Sequence, residues 1–411
     1  MERREFLLGA AGMLGLPALE GASAAREAGS SAITLFLCGD VMTGRGIDQL
    51  LARPSEPTLF ESYVRDARRY VELAAAVSGP IARPVDPSYV WGEALAELDR
   101  RRPDARIVNL ETAVTTSSDP WPRKGIHYRM HPANVGCLTA AAIDCCVLAN
   151  NHVLDWGYAG LAETVPALRG AGLATVGAGG DLAQATAPAI LEVAGKGRVV
   201  VFAYGLPTSG IPAAWAAAAE RPGVSFLPDL SEAAAESIAS RIAGLEKQGD
   251  VVVVSIHWGG NWGHAIPDEH QRFARLLIDT AAVDVVHGHS SHHPLGVEIY
   301  RGRPILYGCG DFINDYEGIG GHERYRADLV LAWFLTLDPA SGRLLRLAAV
   351  PFQSRRLRLE RPTVEDAAWL RATLDRESSA LGARVEAEPD GSLAWRPTDP
   401  RPRDPRAAGP S

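Results

Sequence analysis

Residues 283–294 read VDVVHGHSSHHP, an apolar strand-like run that ends in His287, His289, His292 and His293. A run of Val bounded by a His cluster reads as a buried strand whose carboxyl end carries metal-ligand chemistry. The same pattern recurs upstream. VVVVSIHWGG ends its valine run at His257, LFLCGD ends at Asp40, RIVNLE at Glu111, and CCVLANNH at Asn151 and His152. Parallel strands of an open α/β sheet deliver their carboxyl ends to one edge, where ligands bind. Five strand ends carrying Asp, Glu, Asn and His therefore predict one convergent site. Oxygen and imidazole donors of this kind suit Mn, Fe or Zn rather than a thiolate-bound metal. Seven of the eleven histidines lie between 257 and 293, so this clustering is a feature of the site and not of composition.

Working outward, strands and helices alternate to about residue 310, which predicts layered α/β with helices on the sheet faces. Ile33–Leu37, Arg106–Leu110, Cys145–Ala149, Val251–Ile256 and Val283–Val286 are expected strands. Helices are expected over Thr58–Val77, Tyr89–Asp99, Ala133–Ala142, Leu161–Ala171, Glu269–Thr280 and Val364–Leu381. Residues 115–131 show no period and read as a loop, and Pro207–Pro228 as an Ala- and Pro-rich connection. Leu329–Leu337 and Leu344–Phe352 read as an antiparallel addition.

The net charge of −8, with no basic block in the core, argues against a nucleic-acid surface. Arg3-Arg4 precede an apolar run to Leu19 and then Ala22-Ser23-Ala24. A charged start, a short apolar centre and an A-x-A end predict an export signal over residues 1–25, of twin-arginine type, and a protein working in the periplasm, cell envelope or medium. A single domain is expected over residues 31–395, with a disordered Pro- and Arg-rich tail at 397–411. The five cysteines, at 38, 137, 145, 146 and 309, are odd in number, form no C-x-x-C pair and read as buried thiols rather than a disulfide framework.

The blocks GD-x-M, NLE, ANNH, HWG and GH-x-x-H, in this order, resemble those of calcineurin-like metallophosphoesterases. More specifically, LANNHVLDWG, SIHWGGNW, HGHSSHHPLGVEIYRG and PILYGCGDFINDYEG resemble the CapA family of poly-γ-glutamate capsule biosynthesis proteins. The similarity runs over roughly residues 33–380. It implies a metallophosphoesterase-like four-layer sandwich, two mixed sheets flanked by helices, and two divalent ions (Mn, Fe or Zn). Asp40 and His292 are implied as ligands of the first ion. Asn151, His257 and His289 are implied for the second, with Glu111 bridging both. His152 is implied as the general acid. By spacing alone the last ligand stays open between His292 and His293; family position selects His292. Two departures from the superfamily stand out. Met42 occupies the place of the histidine in D-x-H, and Glu111 that of an Asp, so the first ion has one ligand fewer.

Arg45, Arg129, His131 and Trp258 flank the blocks and are candidate substrate-binding residues, with Lys124, His127, Tyr128, Asn261, Trp262 and His264 nearby in sequence. Asp155 is expected to orient His152 or its loop, and Asp311 is assigned no role. The family implies action on a cell-envelope polymer, with an anionic polymer or phosphoester as substrate and a membrane synthetase complex as partner. The chemistry expected is metal-assisted phosphoester hydrolysis. The alternatives are a non-catalytic polymer-binding accessory of the synthetase and a metal-dependent peptide epimerase on the same scaffold.

Overall fold

Strands buried on both faces carry unbroken apolar runs rather than alternating ones, and two groups of such strands build this molecule. The computed structural model describes residues 32–398. In the larger sheet the strand order is Ala383–Ala387, Leu393–Pro397, Arg343–Arg355, Leu329–Asp338, Ile33–Val41, Ala105–Leu110, Cys145–Val147, Ala174–Val176. The last four strands are mutually parallel and the first five antiparallel, so the sheet is mixed. In the smaller sheet the order is Val297–Tyr300, Arg303–Leu306, Val285–His289, Val251–His257, Gly197–Gly205, Ala189–Val193. Its central four strands are parallel and each edge is closed by an antiparallel hairpin.

Alternate residues of the same strands face different cores. Leu35, Leu37 and Ile107 from the larger sheet pack with Val199, Val201, Val251, Val253 and Val285 from the smaller one between the two sheets. Phe36, Cys38 and Val108 point the other way, under the helices Arg68–Ser78, Ala94–Arg101 and Gly157–Gly170. Val200, Val252 and Val254 point outward on the far side, under Glu232–Ala243 and Asp268–Thr280. The expected four-layer sandwich of two mixed sheets flanked by helices is therefore what is observed. All five cysteines are buried and free.

Several elements differ from expectation. The helix expected from Thr58 begins only at Arg68. Residues 58–66 instead fold back on themselves, with the Leu59 N–H donating to the Arg65 carbonyl, because Glu61 is drawn into the interior by Arg45. Tyr89–Asp99 is broken at Gly92, whose φ of 45° and close approach to the Leu359 carbonyl interrupt the helix. The stretch expected as the helix Ala133–Ala142 is two short turns, Pro132–Asn134 and Gly136–Thr139. The last helix, Val364–Ser379, inserts Leu370 and Leu374 into the core between the sheets. The C-terminal hairpin and the short strand Asp311–Ile313 were not expected. The segments read as an export signal and, from residue 399, as a tail lie outside the described residues. Among the described residues no helix is long and apolar enough to cross a membrane.

Candidate metal centre

The carboxyl ends of both sheets meet at one edge of the sandwich. Asp40 lies near the end of Ile33–Val41 and Glu111 immediately after Ala105–Leu110, its N–H held by the Val41 carbonyl at 3.0 Å. Asn151 and His152 follow Cys145–Val147, and His257 and His289 are the terminal residues of adjacent parallel strands, in register with each other. All but Asn151 are buried.

Side chains from opposite sheets touch here. His257 Nδ1 and His289 Nδ1 are 2.7 Å apart, and His257 Nε2 lies 3.0 Å from Asn151 Oδ1. His289 Nδ1 lies 4.0 Å from Asp40 Oδ1. Glu111 Oε1 lies 3.7 Å from His152 Nε2 and 3.8 Å from His257 Nε2. Two triads, Asp40–His257–His289 and Asp40–His292–Asp311, each gather their donor atoms within 4.8 Å of one another. Asp40, not Glu111, is common to both. Glu111 stands one residue past its strand and aims at His152 and His257, and its Oε2 is buried without a hydrogen-bond partner.

Hydrogen bonds behind the site fix which nitrogens face it. His287 Nε2 lies 2.8 Å from the Cys38 carbonyl, which can only accept, so Nε2 carries the proton and Nδ1 is an acceptor. Ser255 Oγ lies 3.0 Å from that Nδ1 and donates to it. The same hydroxyl accepts from His289 Nε2 at 2.8 Å. This chain assigns His289 the tautomer with a bare Nδ1 lone pair facing Asp40 and His257, the form that binds a cation. The turn leaving His289 is strained: Ser290 has φ 100°, a conformation costing about 1–3 kcal/mol at a non-glycine residue. Its N–H reaches Asp40 Oδ2 at 3.3 Å. His292 is thereby turned into the site, with Nδ1 2.8 Å from Asp311 Oδ1 and Nε2 3.0 Å from Asn261 Nδ2. His293 packs away from it, stacked on Tyr325 and accepting from the Gly263 N–H.

The electrostatics fit a cation. Burial first, and then Asp311, raise Asp40 to about 7. Burial and Asp40 raise Glu111 well above the carboxylate range, and burial raises Asp311. Among the described residues no Lys or Arg forms an ion pair with any of the three. Buried carboxylates without a Lys or Arg partner, facing imidazoles pushed down by burial (His257 and His289) or raised against burial by Asp311 (His292), are a donor set for a hard or borderline divalent ion. Burial lowers His152 to about 4 against the opposing pull of Asp155, so its ring is neutral at pH 7. Asp155 Oδ2 lies 2.6 Å from His152 Nδ1, as expected for an orienting carboxylate, and Lys124 pairs with Asp155 at 2.7 Å. His152 Nε2 is left facing Glu111. An expected proton donor thus rests in its acceptor form.

A cavity of about 350 Å³ lies above these groups, lined by Glu111, Lys124, Tyr128, Asn151, His152 and His292. It continues into a cleft of about 760 Å³ past Asn261 and Tyr316. The family model described as bacterial capsule synthesis protein PGA_cap matches residues 34–316. The chain belongs to this family. Over 362 residues it is 49% identical to a probable polyglutamine synthesis accessory protein of Mycobacterium tuberculosis, covering 88% of this chain and 95% of that one. It is 27% identical over 284 residues to the PGA biosynthesis protein CapA of Bacillus subtilis, covering 67% of this chain and 62% of that one. A crystal structure described as a novel phosphatase from Mycoplasma pneumoniae superposes with a TM-score of 0.44 at 12% identity, over 80% of this chain and 95% of that one.

In this PGA_cap chain the four candidate substrate-binding residues have other partners. The Arg45 guanidinium is buried between Asp315, Glu61 and the Tyr70 and Tyr128 rings, so its charge is already neutralised. Arg129 donates to the Ser117 and Glu56 carbonyls and covers the Trp156 ring. His131 accepts from the Ala133 N–H and caps a short turn. Trp258 is buried behind the site, donating to the Tyr307 carbonyl and stacking on His270. Besides the groups of the metal centre, the polar side chains lining the cavity include Lys124 and, from the loops after the strands, Asn261 and Tyr316. Sequence spacing marked the arginines by proximity to the blocks and could not see that Asp315 and two backbone carbonyls consume them.

Proposed function

We propose that this protein is an exported PGA_cap enzyme that acts on a cell-envelope polymer or its phosphorylated precursor by metal-assisted hydrolysis of a phosphoester. The observation that carries the reading is the pair of buried triads sharing Asp40 beside an unpartnered Glu111 oxygen at the floor of a cavity. Divalent ions bound there supply charge neutralisation and polarisation at the phosphoryl group. The chain's own residues handle the rest. Lys124, paired with Asp155, and Asn261, beside His292, stand at the cavity wall and place positive charge and an amide next to the phosphoryl oxygens. His152 moves the proton at Nε2: the neutral ring accepts it from the attacking water, Asp155 steadies the imidazolium, and the ring returns it to the leaving oxygen. Export is supported by the sequence of residues 1–25. A role in polymer synthesis is supported by the names of the relatives.

A second reading has its own support. The mycobacterial relative is named an accessory protein, and Met42 stands where the superfamily carries a metal-ligating histidine. A protein that holds a membrane synthetase and binds polymer without cleaving it fits those facts. Purified protein loaded with Mn or Fe and assayed on p-nitrophenyl phosphate esters and on poly-γ-glutamate separates the two. Metal-dependent turnover, lost in Asp40→Ala, supports the enzyme. Metal uptake with no turnover on either class supports the accessory.

A further inference from the structure

We propose that Asp311 is a ligand of the first divalent ion, in the coordination position that the Met42 thioether cannot fill. The inference rests on the metal-centre reading above and adds a residue to it. Strand Asp311–Ile313 pairs in parallel with Ile33–Val41, and its register sets Asp311 directly beside Asp40. The close approach is possible because Gly39 and Gly310 lack side chains: a Cβ on Gly39 would lie 1.5 Å from the Gly310 carbonyl oxygen. Asp311 is 1% exposed, its Oδ2 is held by Asn314 Nδ2 at 2.8 Å, and its Oδ1 faces the cluster, 2.8 Å from His292 Nδ1. The Met42 sulfur lies 3.7 Å from the Tyr316 hydroxyl, and the Tyr316 ring is 5.3 Å from that of His292, so side chain 42 lies on the Tyr316 side of the cluster. A thioether is a soft donor with little affinity for a hard cation, whereas a carboxylate is a hard one. Asp311 thus adds a donor to Asp40 and His292 at the first ion, beside the bridging Glu111.

The rival role for Asp311 is to orient the His292 ring through Nδ1. Asp311→Asn distinguishes them by ligand strength, because a neutral amide oxygen still accepts from Nδ1–H but binds a hard cation far more weakly than a carboxylate. Ions per chain are counted after Mn loading and gel filtration, with the Mn EPR spectrum recorded on the same samples. The expected result is about two ions and an exchange-coupled spectrum in the parent, and about one ion with an uncoupled spectrum in Asp311→Asn. Adding Met42→His to Asp311→Asn is expected to restore the second ion, since it restores a ligand rather than an orientation. Two ions and a coupled spectrum in Asp311→Asn overturn the proposal and leave the dinuclear reading intact. One ion or none in the parent sinks the dinuclear reading itself. Should Asp311→Asn fail to fold, Met42→His in the parent decides. First-site affinity within about threefold of the parent supports Asp311 as ligand, and a gain above about tenfold overturns it.

Discussion

At the residue scale, the histidines of this site are not equivalent, and their hydrogen bonds sort them. His152 is held by Asp155, His289 by Ser255, and His292 by Asp311. Ser255→Ala removes the hydroxyl that fixes the His289 tautomer without adding bulk. We expect Mn affinity to fall about 10- to 100-fold, the usual cost of losing such a partner, with the melting temperature of the metal-free protein changed little; calorimetric titration measures it. Asp155→Asn is expected to lower phosphoester turnover while leaving metal content unchanged. Asp155 touches His152, Lys124 and the Tyr128 N–H but no group in either triad. A drop in metal content equal to the drop in rate would count against a proton-handling role for His152.

At the element scale, Ile33–Val41 and the short strand after Gly310 pair at a distance only glycine allows, the Gly39 and Gly310 backbones lying against each other. Gly39→Ala forces that strand away, because its Cβ overlaps the Gly310 carbonyl and no flexible side chain can yield. The expected cost is above about 2 kcal/mol, of the order of other severe packing faults, measured by urea denaturation, together with loss of one bound ion per chain. This junction also marks how far the sequence could be read. The strands ending in Asp40, Glu111, His257 and His289 were legible, because runs of Val, Ile and Leu buried on both faces have no other explanation of that length. Asp311 was not legible. Three residues, DFI, carry no period, and their parallel pairing with a strand some 270 positions earlier is a tertiary fact. Likewise Thr58–Ala67 has helical spacing, but the burial of Glu61 against Arg45 overrides it.

At the scale of the whole molecule, the ligands are divided between two sheets that otherwise meet only through apolar contacts and scattered polar ones. The metal-free protein carries this division as a pH liability. Asp40 has a folded pKa raised to about 7 from 3.8 by burial, and Glu111 and Asp311 shift the same way. A carboxyl raised in the folded state binds more protons folded than unfolded, so its contribution to stability is full at low pH and is lost as pH rises through the folded value. Histidines lowered by burial (His152, His257, His289) pull the other way as pH falls through 6.5, so the carboxyl share is read against Asp40→Asn. Without metal, the melting temperature of the parent is expected to fall relative to that of the variant as pH rises from 5.5 to 8, and a saturating divalent ion to close most of that gap. A parent–variant difference that stays flat over this range without metal would rule Asp40 out as a source of the pH dependence.

The His287 side chain gives the division a mechanical meaning. It belongs to the smaller sheet, yet it donates to the Cys38 carbonyl of the larger one, two residues before Asp40. It ties the two sheets together two residues from Asp40, so the spacing of the sheets and the position of that carboxylate are mechanically linked. A cavity opened far from the pocket, by trimming Trp333 in the inter-sheet core, should loosen the grip on the ion without touching a single ligand.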